Sequence, residues 1–314
     1  MAELELMADG LGFPEGPIAL ADGSVLLVEI QAQSVSRVYP NGRIERLVKT
    51  AGGPNGAAVG PDGRLYICNN GGFRWAERDG LTVPHGRAED YIGGRIQAVD
   101  LATGEIEDLY RECAGNLLKA PNDLVFDAAG GFYFTDHASS FERYREHGGL
   151  YYGTTDGSHI AEIAYPLGHP NGVGLSPGGD RVYIGETLTG IIWAWDIASP
   201  GVLAPPKPGN FSSSGAELVC GLPGHQLFDS LAVDSDGNIC AATLITGAIT
   251  VISPAGEVLD VIKMPEPDPL VTNICFGGDD LRTAYITSGG RGRLYAMPWH
   301  CPGLRLAFND VRGL

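Results

Sequence analysis

Basic residues are few in this chain: 21 Lys and Arg stand against 38 Asp and Glu, for a formal charge of −17. Without a basic stripe to neutralise phosphates, no nucleic-acid partner is expected, and docking on anionic lipid is disfavoured in the same way. Long apolar runs are missing as well. No stretch reaches the roughly 18 residues of a membrane-crossing helix, so no membrane partner is expected. The opening MAELELMADG has neither a basic nor an apolar signal segment, which points to a cytoplasmic location. Cysteine is sparse, and the six (Cys68, Cys113, Cys220, Cys240, Cys275, Cys301) contain no CxxC spacing. Cys68, Cys240 and Cys275 lie within apolar runs and read as buried thiols in a reducing compartment, with no zinc-thiolate centre. Nothing in the chain reads out its oligomeric state.

Turn formers are plentiful, with 46 Gly and 21 Pro, and the 44% hydrophobic content is ample for a core. They are organised as a repeat. Six short apolar strands each open on a polar residue in a turn: Glu15-Gly16, Asn55-Gly56, Asn122-Asp123, Asn171-Gly172, Asp229-Ser230 and Thr272-Asn273. The heads are 40 to 67 residues apart, and four strands can be traced in most intervals. Such a period with four strands per unit predicts an all-β fold, a six-bladed β-propeller of four antiparallel strands per blade. A single domain over 1–314 is expected. Residues 3–7 resemble the fourth strands, so the N-terminal strand is expected to close the last blade beside 293–297, with 304–308 as a competitor for that edge. The widest interval contains 69–93, read as an inserted loop with Phe73, Arg74, Trp75 and Tyr91, and 199–215 reads as a surface loop.

In a propeller the first strand of each blade lines the central channel, so the six heads gather at one mouth. All carry oxygen. Any one Asn-Gly or Asp-Ser pair also serves as a turn, but Glu is a poor turn former. Six polar heads in one register, two of them acidic, point to one divalent cation. Ca²⁺ is favoured, with Mg²⁺, Mn²⁺ or Zn²⁺ as alternatives. A serine-nucleophile elbow is not expected, since that device needs a strand running into a helix.

The segments FPEGP (13–17), APNDLVFD (120–127), FTD (134–136), HPNGVGLSP (169–177) and DSLAVDSDGN (229–238) resemble the SMP-30/gluconolactonase/luciferin-regenerating-enzyme family in that order. The resemblance implies a metal held by Glu15, Asn171 and Asp229, with Asn122 as a fourth position at metal or substrate. It implies hydrolysis of a lactone or related ester, the metal polarising the carbonyl and activating water, with Asp229 as the favoured base and Glu15 as the alternative. Asn122, His137, Asn55, Arg74 and Trp75 are the expected substrate-binding residues. Ala120 stands where sugar lactonases of that family often carry arginine, which suggests a substrate less hydroxylated than a hexonolactone. The alternatives are a metal-dependent phosphotriesterase or arylesterase on the same site, and a propeller that only binds a ligand or protein around a structural cation.

Overall fold

The computed structural model describes residues 3–309. Six antiparallel sheets follow one another along the chain, and no helix is present among the described residues. The first blade is Pro14–Ala19, Val25–Glu29, Ser34–Val38 and Ile44–Lys49. The second is Pro54–Val59, Leu65–Asn69, Arg95–Val99 and Ile106–Tyr110. The third is Pro121–Phe126, Gly131–Asp136, Gly148–Thr154 and Ile160–Leu167. The fourth is Pro170–Leu175, Arg181–Glu186, Ile191–Ser199 and Glu217–Gly221, with a two-residue strand, Val202–Leu203, added inside 199–215. The fifth is Leu227–Val233, Ile239–Leu244, Ala248–Ile252 and Val258–Lys263.

The sixth blade takes Val271–Gly277, Thr283–Ser288 and Arg293–Pro298 from the end of the chain and Glu5–Asp9 from its beginning. Glu5–Asp9 pairs antiparallel with Arg293–Pro298, two residues later than the sequence pattern placed it. The competing segment does something else. Leu304 N–H donates to Val233 O, while Ala307 and Phe308 pack on the core between the second and third blades. The chain after the last blade therefore runs across the channel end opposite the heads.

The six first strands touch one another in cyclic order, the sixth against the first, which makes the ring a closed six-bladed β-propeller. Burial follows from position. Pro121–Phe126 beside the channel is buried throughout, whereas the outer strand Val258–Lys263 is almost wholly exposed. The apolar cores lie between adjacent blades, as in the cluster joining Ile249 and Val251 to Ile274, Ile286 and Tyr295. Burying such faces is the main stabilising term of a sheet fold.

Each first strand has a register break just after its head: Glu15/Ile18, Pro54/Ala57, Pro121/Leu124, Pro170/Val173, Phe228/Leu231 and Val271/Asn273. A bulge re-aims side chains and ends pairing locally, so one device repeated six times turns all the heads toward the channel axis. Proline opens four of these strands, where no ladder N–H is needed. In the second and fourth blades the residue after the head must also be small. A Cβ at Gly56 would lie 2.6 Å from Asn122 O and Asp123 Cα, and one at Gly172 would lie 2.5 Å from Leu231 N. The obstacles are backbone of neighbouring blades and cannot swing away. Gly56→Ala should therefore destabilise the propeller by about 1–3 kcal/mol, the usual cost of overpacking, and lower the melting temperature. A melting temperature equal to wild type would contradict this close approach.

Candidate active site

Glu15 is the most constrained of the heads. It is buried, its Oε2 accepts from Asn273 Nδ2 at 2.8 Å and from the Gly16 N–H, and its Oε1 has no partner. Asn122 is buried with Oδ1 likewise unpartnered. Asn171 donates through Nδ2 to Thr187 Oγ1 at 3.1 Å, and its side chain also bonds Asp229. Thr187 is itself anchored on Phe228 O at 2.8 Å. Asp229 is only partly buried. Asn55 is buried among the other heads. The sixth head departs from the expected pattern. Thr272 spends its hydroxyl on Pro14 O and Thr287 Oγ1, both at 2.8 Å, and it is the next residue, Asn273, that reaches Glu15.

A third carboxylate belongs to the cluster and the sequence reading passed over it. Asp123 follows Asn122, where two neighbouring blades carry glycine, and it is buried. Burial pushes its carboxyl up to about 7, against the pull of the Leu124 and Val173 N–H groups and Ser230. Asp229 is also pushed up to about 7, by burial and then by Asp123, with Asn171 opposing. Glu15 is raised well above the usual carboxylate range by burial, then by the charges of Asp229 and Asp123. The charges that raise Glu15 and Asp229 are those of neighbouring carboxylates. Like charges in a low-dielectric site cannot all ionise without a counter-charge.

A divalent cation fits this set. Two buried oxygens, Glu15 Oε1 and Asn122 Oδ1, lack any partner, and buried polar atoms are rarely left so. The donors are carboxylate and amide oxygens only, as hard cations prefer. Glu15, Asn122, Asn171 and Asp229 are the residues that could hold it, with Asp123 adding charge from beneath.

Asp136 braces the site. Its carboxylate accepts from the Lys119, Ala120 and Ala138 N–H groups at 2.6, 2.7 and 2.9 Å, fixing the segment before Asn122. Glu29, Asn69 and Glu186 accept from Gly12, Gly53 and Gly168 in the corresponding places. His137 stacks on His169 with ring centroids 4.5 Å apart. Burial and then His169 push His137 down to about 3, so it stands neutral. His169 is buried in a left-handed conformation (φ 60°) just before Pro170, and its Nε2 has no partner. His137 is the more exposed of the two.

The insertion is not an irregular loop. Phe73–Arg78 and Leu81–Arg87 form a hairpin, and Trp75 lies 5.0 Å from Phe13, beside the first head. Arg74, expected at the substrate, instead is exposed and donates to His85 O within the hairpin. Residues 174–178 match the spacing G-x-S-x-G, but Ser176 ends the strand Pro170–Leu175 away from the heads and bonds Asp180 at 2.7 Å; no helix follows it.

Two other features lie away from the heads. A cavity of about 390 Å³ runs inside the channel below them, lined by residues such as Leu124, Val173 and Ile274 and reaching Leu304–Ala307. Asp123 and Asn273 line its end toward the heads, so it meets the carboxylate cluster from beneath, and Asp279 and Arg305 line its other end. Asp234, His300 and Cys301 place a carboxylate, an imidazole and a thiol within 4.8 Å of one another near the opposite end. All six cysteines are free thiols.

A model of the "SMP-30/Gluconolactonase/LRE-like region" matches residues 13–290. The lactonase drp35 of Staphylococcus saprophyticus is 28% identical over 267 residues, covering 84% of this chain and 74% of that protein. A gluconolactonase of Zymomonas mobilis is 26% identical over 299 residues, covering 87% and 76%. The structure of a calcium-binding protein, regucalcin, from Agrobacterium tumefaciens superposes with a TM-score of 0.69 at 15% identity, covering 96% of this chain and 99% of that one.

The raised carboxyls have a consequence for stability. Asp123 and Asp229 hold their protons to about pH 7 when folded but release them near 4 when unfolded. Between those limits the native state binds more protons, so stability falls as pH rises. In chelator the melting temperature should drop from pH 5 to pH 8, and added divalent cation should raise it more at pH 8 than at pH 5. Equal shifts at both pH values would contradict the cluster.

Proposed function

This chain belongs to the SMP-30/gluconolactonase/LRE-like family, and from that premise we propose that it is a divalent-cation-dependent hydrolase that opens lactones. The observation that carries the reading is the convergence of the Glu15, Asp123 and Asp229 carboxyls with two buried oxygens that lack a hydrogen-bond partner. The names of the two relatives, lactonase and gluconolactonase, support the reaction class. The oxygen-only donors and the calcium-binding neighbour support Ca²⁺ as the ion.

When bound, the cation supplies Lewis acidity toward the ring carbonyl and a lowered pKa for nearby water. The residues divide the remaining work. Glu15 is fixed by Asn273 and the Gly16 N–H, which suits a ligand and not a proton carrier. Asp229 is the less enclosed acid, and Asn171 steadies it. It takes the proton of the water that adds to the acyl carbon. The ring C–O bond then breaks, and the same carboxyl returns the proton to the departing alkoxide oxygen. The sum is lactone plus water giving hydroxy acid. A single-domain, cytoplasmic enzyme is part of this proposal.

Asp229→Asn should lower kcat by about 10²- to 10⁴-fold, the usual contribution of a general base. EDTA should abolish turnover, and Ca²⁺ should restore it. The test is pH-indicator hydrolysis of lactones beside aryl esters and phosphotriesters. Full turnover in Asp229→Asn would contradict the base assignment. Turnover of phosphotriesters ahead of lactones would assign the rival activity, and no turnover with any cation would leave a binding propeller.

A further inference from the structure

The inserted hairpin crosses the mouth at which the heads gather. It leaves the second blade after Asn69. Near its tip Thr82 N–H donates to Gly290 O at 2.8 Å, in the loop that follows the second strand of the sixth blade. At its base Arg87 Nε donates to Ser139 Oγ at 3.0 Å and pairs with Glu146, in the corresponding loop of the third blade. Between these anchors it passes over the first blade, where Trp75 meets Phe13. All the loops it touches are on the side of the heads.

What it presents there is apolar. Phe73 and Trp75 stand edge to face at 6.2 Å, and Trp75 continues onto Phe13 at 5.0 Å. The foot of this pile reaches the ring of heads. A Cβ built at Gly289 would lie 2.7 Å from Thr272 Cγ2 and 3.0 Å from the Phe13 ring, so the Phe13 ring adjoins Thr272. Thr272 is the one head without a carboxylate or amide, and its hydroxyl is consumed within the fold. Phe13 is held there in a left-handed conformation (φ 58°), sparsely populated for an aromatic residue and characteristic of functional sites. Phe73 and Trp75 are each only partly buried, so aromatic surface remains for a ligand. The mouth is thus two-sided around its acids, with the His137–His169 pair at the third and fourth blades and three aromatic rings at the first and sixth.

We infer that Phe13, Phe73 and Trp75 form a specificity wall for an apolar substituent, so that the substrates are alkyl- or aryl-substituted lactones and not polyhydroxylated ones. This rests on the lactonase reading for its chemistry, while the wall itself is a binding feature. A polyhydroxylated ring would lose water against this flank without gaining hydrogen bonds, whereas an alkyl chain gains with each methylene buried.

The test compares γ-nonalactone, γ-valerolactone and glucono-δ-lactone in the cation-loaded protein. Calorimetric binding of the non-hydrolysable lactams matching the first two runs in parallel. Wild type should prefer γ-nonalactone to either other lactone by at least about tenfold in kcat/KM, and its lactam should bind more tightly by a similar ratio. Trp75→Ala and, separately, Phe73→Ala should shrink the long-to-short ratio to within about twofold, while Trp75→Leu should keep most of it. A preference for glucono-δ-lactone, or lactam affinities independent of chain length, would overturn the inference. Chain-length-dependent lactam binding without lactone turnover would uphold the wall and defeat the lactonase reading. Turnover without chain-length dependence would do the reverse.

Discussion

Carboxylates repel when they are drawn together out of water, and the channel mouth of this propeller draws three together. Glu15, Asp123 and Asp229 come from the first, third and fifth blades; Asp229 and Asp123 raise the proton affinity of Glu15, and Asp123 raises that of Asp229. Each fills a position where a neutral residue would cost less. A fold keeps such a cluster when something of opposite charge is used there, and the unpartnered oxygens of Glu15 and Asn122 fit the same need. The proposed activity, the proposed cation and the expected pH behaviour all rest on this cluster.

The rest of the architecture holds it in place. Six bulges turn the heads inward, and the small residues that follow let adjacent first strands approach closely enough to share one centre. Behind the heads, Glu29, Asn69, Asp136 and Glu186 accept backbone N–H groups from the incoming loops, so each lead-in is fixed by a buried side chain. Such support is what a site needs to keep its geometry. Closure through Glu5–Asp9 completes the sixth blade by pairing the outer edge of Arg293–Pro298.

The blade count, the closing strand and the gathering of the heads were legible in the sequence, because period-two burial and turn residues repeat in register. The chemistry of the heads was less so. Asp123 escaped notice because an acid after Asn reads as turn chemistry, and only the neighbouring blades show that its place normally holds glycine. Thr272 was taken for the sixth head's contribution because it occupies the repeated position, yet the bulge hands the task to Asn273. Arg74 lies exposed on the hairpin and donates to His85 O, a contact within the insertion that no local pattern announces. The pairing of His137 with His169 joins two blades and leaves no local signal.

Chemistry and selectivity are thus assigned to different parts of one mouth, the ring of heads and the hairpin laid over it. The ring is the older commitment of the fold, and the account stands or falls on it. The most direct measurement is anomalous diffraction from crystals equilibrated with Mn²⁺ as a stand-in for the native cation. A single strong peak enclosed by Glu15, Asn171 and Asp229, with Asn122 beside it, is the predicted result. No peak there at millimolar ion, or a peak only at Asp234, His300 and Cys301, would contradict the account.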